Sequence, residues 1–325
     1  MKNILITGGA GFIGSHLTKH FSLNYSNYNI VNVDSLTYAS NIKYIKELDT
    51  LSNYKFFKGD IVDLKFMKNL FARFDFDHII HLAAESHVDN SIKEPLKFTQ
   101  TNVIGTVNLL NLANEFWSQK KNKLFFHVST DEVYGSLGDN GSFTEESCHD
   151  PRSPYSASKA SSDMFVKAYG HTFNLPYIIS NCSNNFGPNQ NNEKLIPVVI
   201  DSIKNNKEVP VYGNGMNIRD WLYVGDHVLA IDKLFHSGIV NETFNIGGGN
   251  ELRNIDLIKK IIKIVDKELS RENNYSSKLI KYIEDRKGHD YRYSVNYEKL
   301  SSTTGWSPSN DFDSLLTKTI KWYLR

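Results

Sequence analysis

Two side chains of this sequence, Tyr155 and Lys159, have the types and spacing that suit oxidation of an alcohol. They lie four residues apart, so on a helix they share one face. A free phenol has a pKa near ~10 and is a poor base at neutral pH, whereas a nearby ammonium favours the phenolate. Such a pair can accept a hydroxyl proton while hydride leaves the same carbon.

A second acid–base pair, Asp131 and Glu132, directly follows an apolar run. Simple oxidation at a carbinol needs only Tyr155, Lys159 and a hydroxyl donor such as Thr130, so two further carboxyl groups indicate another proton-transfer step. Adjacent carboxyl groups tend to separate their pKa values, which leaves one protonated and one ionised. The spacing alone also fits a solvated Asp-Glu dipeptide at the end of a strand.

A glycine-rich turn suits the hydride acceptor. Gly8, Gly11 and Gly14 follow the first apolar run and open a helical stretch. Glycines let the chain turn tightly and approach a pyrophosphate, which then meets the free amides of the helix N-terminus. Asp34 ends the second apolar run, where a carboxylate hydrogen-bonds the adenosine ribose and repels a 2′-phosphate. The pattern favours NAD over NADP, with Asp60 expected near the adenine.

The elements that must position these residues alternate along the first half of the chain. Short apolar runs predict strands at 4–7, 30–34, 55–59, 78–83, 124–129, 177–180 and, further on, 243–246. Amphipathic stretches predict helices at 12–21, 103–117, 154–173, 193–205 and 254–267. Strands that alternate with helices predict a parallel sheet covered on both faces. The polar segment 270–278 is expected to be a solvated loop.

We therefore expect an α/β protein with a Rossmann-type doubly wound parallel sheet and a smaller mixed α/β C-terminal lobe. Residues 1–180 are assigned to an NAD-binding domain that a return segment around 223–246 rejoins. Residues 181–325 are assigned mainly to a nucleotide-sugar-binding lobe.

Composition limits the other function classes. Lys plus Arg (37) nearly balances Asp plus Glu (36), so a net charge of +1 provides no general field for nucleic acid or anionic membrane. Cys148 and Cys182 are too few for a disulfide framework, and no metal-ligand spacing occurs. No apolar run approaches the ~20 residues of a membrane span. The N-terminal apolar run at residues 4–6 is also too short for the apolar core of a secretory signal. We expect a cytoplasmic protein without metal, membrane or nucleic-acid partners.

Taken together, the motifs resemble those of extended short-chain dehydrogenases/reductases, and within them of dTDP-glucose 4,6-dehydratases, over nearly the whole chain. The segments ITGGAGFIG (6–14) and SPYSASKAS (153–161) are typical of the superfamily. Narrower matches are LAAESHVD (82–89), STDEVYG (129–135), CSNNFGP (182–188), EKLIP (193–197), IRDWLYV (218–224), FNIGG (244–248) and DRKGHD (285–290).

The resemblance implies conversion of dTDP-glucose to a 4-keto-6-deoxy sugar nucleotide and water, with NAD regenerated in the site. Tyr155 would remove the proton of the 4-hydroxyl, and Thr130 would hydrogen-bond the 4-oxygen. Glu132 would remove the C5 proton, and Asp131 would protonate the departing 6-hydroxyl. Lys159 would also reach the nicotinamide ribose.

The resemblance also implies binding residues and a homodimer through the helices after 101 and 154. The implied cofactor residues are Gly8, Gly11, Phe12, Ile13, Gly14, Asp34, Leu36, Thr37, Asp60, Ile61, Leu82, Ala83, Ala84, Ser86, Thr101, Tyr155, Lys159 and Asn185. The implied substrate residues are Ser86, His87, Thr130, Asn184, Lys194, Leu195, Pro210, Tyr212, Arg219, Asn254, Arg286 and His289. Arg219 and Arg286 among them have the charge and geometry to bind a diphosphate. The chain departs from the family pattern at Asn90, where Arg is frequent, and at Lys287, where Pro is common.

Three alternatives stay open. The first is a UDP-glucose 4,6-dehydratase, since a uracil-tolerant pocket would differ from a thymine-binding one by only a methyl contact, worth about 1–3 kcal/mol. A nucleotide-sugar 4-epimerase would need Tyr155, Lys159 and NAD but no C5 base, so the Asp131-Glu132 pair argues against it. A non-catalytic NAD-sensing protein would usually lack the tyrosine–lysine pair.

Overall fold

The computed structural model describes residues 1–117 and 121–325, within which twelve strands and eleven α-helices alternate. The strands are β1 (Lys2–Thr7), β2 (Tyr28–Asp34), β3 (Tyr54–Lys58), β4 (His78–His81), β5 (Leu124–Thr130), β6 (Tyr177–Cys182), β7 (Asn184–Phe186), β8 (Val209–Tyr212), β9 (Ile218–Tyr223), β10 (Glu242–Ile246), β11 (Glu251–Arg253) and β12 (Ile280–Ile283). The helices are α1 (Phe12–Asn24), α2 (Leu64–Phe74), α3 (Val88–Lys93), α4 (Pro95–Phe98), α5 (Gly105–Phe116), α6 (Pro154–Phe173), α7 (Leu195–Lys204), α8 (Val224–His236), α9 (Asn254–Glu268), α10 (Glu298–Thr304) and α11 (Phe312–Leu324).

The main sheet is parallel and has the strand order β10-β6-β5-β4-β1-β2-β3. Alternate residues of its strands enter two separate cores, as the period of a strand requires. Ile4 and Ile6 pack with α1 and α8 on one face, whereas Leu5 packs with α2, α5 and α6 on the other. Helices cover both faces and the strand order reverses between β1 and β4, so the predicted doubly wound fold is confirmed.

The second lobe is built from two small sheets, β11-β9-β7 and β12-β8, and from α7, α9 and α11. The predicted apolar face of α9 is buried here, with Ile258, Ile261, Ile262 and Val265 at most 1% exposed. The chain also returns to the main sheet, because β10 pairs in parallel with β6 at its edge. The division of the chain at residue 180 stays a prediction.

Two local predictions were wrong for identifiable reasons. Segment 270–278 is not only a solvated loop, since Ser276 is fully buried in a 3-10 turn and donates a hydrogen bond to Asp266, 2.5 Å away. The buried carboxylate at the end of α9 needs this donor. The helix expected from residue 193 begins at Leu195, because Lys194 is extended and directs its Nζ to the Ser86 carbonyl, 3.0 Å away.

No helix in the described ranges is both long and apolar enough to cross a bilayer.

An ion-pair cluster centred on Asp232 joins α8 to α1 across the outer surface of the main sheet. The Asp232 carboxylate lies 3.0 Å from His20 Nε2 and 2.9 Å from His236 Nδ1, and it accepts a hydrogen bond from the Tyr25 hydroxyl at 2.8 Å. Burial favours the neutral acid, but these three partners hold the pKa of Asp232 well below its ordinary value. The same carboxylate raises the pKa of His236.

We expect Asp232→Ala to lower the free energy of unfolding by about 1–3 kcal/mol, and by more at about pH 5.5 than at about pH 8.5. The stabilisation from the lowered pKa of Asp232 is present above its ordinary value and is lost as the pH falls. The stabilisation from the raised pKa of His236 is present below about 6.5 and is lost as the pH rises through the raised value. Urea denaturation at both pH values measures the difference. The exposed Asp201→Ala is the control, and an equal loss at both pH values would contradict the prediction.

Candidate active site

The glycine-rich turn after β1 forms one end of the site. Gly8 has φ +75°, and a Cβ atom there would lie 2.6 Å from the Ala83 backbone nitrogen. A Cβ atom on Gly14 would lie 2.0 Å from the Gly8 carbonyl oxygen. Helix α1 then begins after Gly11 without a side-chain capping bond. Its first amides are therefore available to an anion such as a pyrophosphate.

Two carboxylates lie beside this turn, and backbone amides fix both of them. Asp34 is 4% exposed, and its two oxygens accept hydrogen bonds from the amides of Ala10 (2.9 Å) and Leu36 (2.8 Å). Asp60 accepts a hydrogen bond from the Val62 amide, 2.9 Å away. Each carboxylate is thus held rigidly at the end of its strand, as readout of a ribose or an adenine requires.

A single cavity extends from the glycine turn along the carboxyl ends of the main-sheet strands. The predicted cofactor residues that line it are Gly8, Gly11, Phe12, Ile13, Gly14, Asp34, Thr37, Asp60, Ile61, Leu82, Ala83, Ala84, Ser86, Thr101, Tyr155, Lys159 and Asn185. The predicted catalytic and substrate residues that line it are Ser86, Thr130, Asp131, Glu132, Tyr155, Lys159, Asn184 and Lys194. Leu36 is not part of this wall and contributes its amide to Asp34 instead.

Helix α6 positions Tyr155 and Lys159 in its first turns. Ser153 caps this helix and exchanges hydrogen bonds with Ser156 in a capping box, and Pro154 occupies the first helical position. Lys159 is 4% exposed and donates a hydrogen bond from Nζ to the Val128 carbonyl, 2.9 Å away. The predicted helix thus presents both side chains to the cavity.

The chain's own groups do not produce the lowered pKa that was expected for Tyr155. Burial raises the pKa of this phenol well above its ordinary value, and the charge of Glu132 raises it further. A hydrogen bond with Thr130 opposes these effects but does not outweigh them. The expectation was wrong because the spacing of Tyr155 and Lys159 carries no measure of burial, and burial dominates the pKa of this phenol.

Asp131 is the more deeply buried of the two adjacent carboxyl groups. It begins a 3-10 turn after β5 and is 2% exposed. Its Oδ1 accepts a hydrogen bond from Thr130 Oγ1 at 3.2 Å, while Oδ2 has no hydrogen-bond partner among the described residues. Burial and then the charges of Glu132 and Asp220 raise the pKa of Asp131 well above its ordinary value. These surroundings favour the protonated form, which can act as an acid.

Glu132 differs from its neighbour because cations surround it. Burial raises its pKa as well, but Lys194, Arg219 and Arg286 all favour its ionised form. The same positive field acts on His87, whose pKa falls to about 4 through burial and the charges of Lys194 and Arg286. The two carboxyl groups therefore share a site but not an electrostatic environment, and Glu132 is the one whose surroundings favour a base.

The remaining predicted substrate residues lie outside the cavity wall, mostly at the Glu132 end. Arg219 is 7% exposed, donates to the carbonyls of Ile218 (2.7 Å) and Asp290 (2.9 Å), and stacks on Tyr293. Arg286 pairs with Asp89, 2.5 Å away. The others are His87, Leu195, Pro210, Tyr212, Asn254 and His289. The Tyr212 ring lies under the Arg286 guanidinium and meets the His289 ring edge to face.

Several side chains near the site were not predicted. Glu193 lines the cavity beside the predicted Lys194, and Lys97 lines it while pairing with the buried Glu85 at 2.8 Å. Adjacency to Lys194 could have identified Glu193. Tyr293 packs under Arg219 and hydrogen-bonds Asp290, but it lies in a segment without a recognised pattern. Of the two departures from the family pattern, Asn90 donates to the Tyr38 hydroxyl at 3.4 Å, and the structure does not explain Lys287.

Comparison with known proteins gives a consistent result over the whole chain. A family model described as GDP-mannose 4,6 dehydratase matches residues 5–319. A relative from Sinorhizobium fredii (strain NBRC 101917 / NGR234), named probable dTDP-glucose 4,6-dehydratase, is 50% identical over an alignment of 326 positions, which covers 99% of this chain and 92% of the relative.

Solved structures share the fold. The crystal structure of dTDP-glucose 4,6-dehydratase from Bacillus anthracis str. Ames in complex with NAD has a TM-score of 0.89 and 42% identity, and the match covers 100% of this chain and 97% of that one. UDP-glucose 4-epimerase from Thermotoga maritima, solved with UDP-glucose, has a TM-score of 0.87 and 28% identity over 99% and 98% of the two chains. Overall shape therefore does not separate these two activities, and the site residues must.

We expect Asp34→Ala to weaken binding of NAD by about tenfold to a hundredfold and to reduce the preference for NAD over NADP. The variant loses a charged acceptor for the ribose, worth roughly 1.5–3 kcal/mol, and also the repulsion of a 2′-phosphate. Isothermal titration calorimetry with both nucleotides measures the ratio of dissociation constants. Asp60→Ala removes another carboxylate of the same cavity and is the matched control. An unchanged NAD to NADP ratio in Asp34→Ala would contradict the assignment.

Proposed function

The chain belongs to the GDP-mannose 4,6-dehydratase family and within it to the dTDP-glucose 4,6-dehydratases, and we propose that it converts dTDP-glucose to dTDP-4-keto-6-deoxyglucose and water. The observation that carries this proposal is the pair Asp131 and Glu132, which lies at the cavity in two different electrostatic environments. Oxidation alone has no use for a buried acid beside a base. Elimination of water from C5 and C6 needs one of each.

NAD fits the residues at the other end of the cavity. The glycine turn leaves no room for a side chain and offers the free amides of α1, and Asp34 stands at the end of the second strand. When bound, NAD supplies a hydride acceptor and the positive charge of its nicotinamide ring. Lys159, which donates a hydrogen bond to the Val128 carbonyl at the cavity wall, would also bond the nicotinamide ribose.

Tyr155 acts first by accepting the proton of the sugar 4-hydroxyl as C4 is oxidised. Thr130, which hydrogen-bonds the phenol, also holds the sugar 4-oxygen. The chain alone keeps the phenol neutral, so Tyr155 needs additional positive charge beside it to become a base. Oxidation at C4 creates a ketone, which makes the neighbouring C5 proton acidic.

The two carboxyl groups then complete the loss of water. Glu132 accepts the C5 proton, Asp131 gives its proton to the departing 6-hydroxyl, and the C6–O bond breaks. With NAD bound, return of the hydride would reduce C6, and C5 would regain a proton. The proton that Tyr155 accepts balances the one that Asp131 gives up, so the net change is the loss of one water. The raised pKa of Asp131 keeps a proton available for the leaving group, while the cations around Glu132 keep it competent as a base.

The cations at the Glu132 end also suit the diphosphate of the substrate. In the described part of the chain, Arg219 makes hydrogen bonds to backbone carbonyls and forms no salt bridge with a carboxylate, so its charge is free to meet an anion. Lys194 and Arg286 lie at the same end. Paired guanidinium groups and an ammonium match the geometry and charge of a diphosphate.

We propose that two copies of the chain associate through α6 and the helices that pack beside it. In the described structure, these helices expose Ile92 (40%), Leu96 (79%), Ile104 (41%), Met164 (48%) and Phe165 (41%). A group of exposed apolar side chains on neighbouring helices marks an interaction surface, and a twofold dimer is the commonest way to cover one.

The cytoplasmic location expected from the sequence stays a prediction.

We expect the purified protein to form the 4-keto-6-deoxy product from dTDP-glucose about tenfold or more faster than from UDP-glucose, as followed by its alkali-induced absorbance.

Glu132→Gln should lose both dehydration and C5 deuterium exchange. Asp131→Asn should slow dehydration by about 10²–10⁴-fold while C5 exchange continues, because only the acid for the leaving group is lost.

The surface variant Glu115→Gln is the control for these substitutions. Conversion of either sugar nucleotide to its 4-epimer without loss of water would favour the epimerase instead. Wild-type exchange and dehydration in Glu132→Gln would show that Glu132 is not the base.

For the association, we expect Leu96→Glu to shift the protein from dimer to monomer in sedimentation equilibrium at micromolar concentration, because it places a charge in an apolar contact. Leu23→Glu, at a 61% exposed leucine on α1, is the matched control and should leave the dimer intact. A wild-type protein that sediments as a monomer would contradict the association.

A further inference from the structure

A cluster of polar side chains lies buried behind the cavity wall, between β5 and α6. His127 and Ser129 are two residues apart on β5, so their side chains leave the same face of the strand. Lys159 and Asp163 are four residues apart on α6 and share one face of the helix. All four side chains belong to residues that are at most 4% exposed. The strand and helix periodicities therefore bring Lys159 and Asp163 into the same buried cluster.

The imidazole of His127 stands between Lys159 and Asp163. Its Nε2 lies 3.4 Å from Lys159 Nζ and 3.2 Å from Asp163 Oδ1. The other carboxylate oxygen accepts a hydrogen bond from Ser129 Oγ at 2.8 Å. Within the described residues, the ammonium forms no direct salt bridge with the carboxylate and bonds the Val128 carbonyl instead.

Other titratable side chains lie around this cluster on β4, β6, α6 and the segments after β5 and before α6. They are His81 on β4, Tyr134 after β5, His149 before α6, Tyr155 and Lys167 on α6, and Cys182 on β6. Burial lowers the pKa of the histidines, raises that of the tyrosines and raises the pKa of Cys182 to about 12. None of these groups is therefore an anion at neutral pH.

Asp163 is the group in this cluster that can carry a negative charge. Burial raises its pKa to about 6, while the charge of Lys159 and the hydrogen bond from Ser129 oppose the rise. The carboxylate is therefore ionised at neutral pH. Burial also lowers the pKa of Lys159, and Asp163 is the largest influence that opposes this fall.

We propose that Asp163 is the buried counter-charge of Lys159 and that His127 is the spacer that keeps the two apart. A direct ion pair would draw Nζ into the core, away from the cavity. The ring instead leaves Nζ at the Val128 carbonyl, on the cavity wall, while the carboxylate acts across a few ångströms of low-dielectric interior. Asp163 and His127 are thus positioning residues that act through Lys159.

This inference rests on the proposed function for its kinetic consequence but not for its electrostatic one. Without the carboxylate, Lys159 loses its proton at a lower pH. A neutral amine no longer favours the phenolate of Tyr155, so the alkaline limb of the dehydration rate should move to lower pH. The charge of Lys159 itself can be measured without any substrate.

The first experiment follows the titration of Lys159 by NMR in the full chain labelled with ¹³C at the lysine Cε atoms. Its signal is assigned by its loss in Lys159→Arg. We expect Asp163→Asn to move the Lys159 midpoint downward by about one pH unit or more. The milder Ser129→Ala should move it in the same direction by less, because it removes one donor that keeps Asp163 ionised.

Asp266→Asn is the matched control, since Asp266 is a fully buried carboxylate that also accepts a serine hydroxyl, from Ser276 in the other lobe. It should leave the Lys159 midpoint unchanged even if it lowers stability. A midpoint that stays in place in both Asp163→Asn and Ser129→Ala would overturn the proposal, whether or not the protein turns over dTDP-glucose.

A second experiment separates the spacer from the counter-charge. In His127→Leu the ammonium can collapse onto Asp163, so kcat should fall by about tenfold to a hundredfold through misplacement of Nζ, with the Lys159 midpoint equal to or above that of the wild type. In Asp163→Asn the alkaline limb of kcat should move downward. A downward shift of the midpoint in His127→Leu would show that the ring supplies the charge effect, which contradicts its role as a spacer.

Discussion

The pairing of β1 with β4 is the constraint on which the whole site depends. The strand order reverses at this pair, so the loops after β1 and β4 diverge to opposite faces and leave a crevice between them. The two strand ends approach so closely that Gly8 has no room for a Cβ atom beside Ala83. The glycine turn and Asp34 therefore stand on one side of the reversal, whereas Ala83, Ala84 and the acid–base residues stand on the other. Neither group would face the other in a sheet of simple sequential order.

Within that crevice, burial and charge divide the work between groups of the same chemical type. Burial acts on both Asp131 and Glu132, but the cations of the second lobe act mainly on Glu132. The main sheet thus supplies two carboxyl groups, and the second lobe makes them unequal. Under the proposed function the same cations would meet the diphosphate, so the groups that would bind the substrate also tune the base. This is why a fold shared with an epimerase can host a different reaction.

Sequence was sufficient for the parts of the molecule that depend on local pattern. Short apolar runs predicted the main-sheet strands within a few residues, and an amphipathic stretch predicted the bounds of α6. The sequence was insufficient for the features that depend on tertiary contacts. The extended Lys194 and the direction of the Lys159 ammonium depend on partners 108 and 31 residues away along the chain. The buried Ser276 depends on Asp266 of the preceding helix, 10 residues earlier. The raised pKa of Tyr155 could not be foreseen either, because burial is a property of the assembled fold.

The position of β10 also bears on how the chain is made. In a protein synthesised from its N-terminus, β6 is complete well before residues 242–246 exist, so its outer edge waits for a partner. An unpaired strand edge presents free N–H and C=O groups, which can pair with a strand of another chain. This edge of the main sheet is therefore covered only after residues 181–246 have been synthesised as well. A nascent chain halted near residue 180 would therefore leave the outer edge of β6 unpaired and open to aggregation.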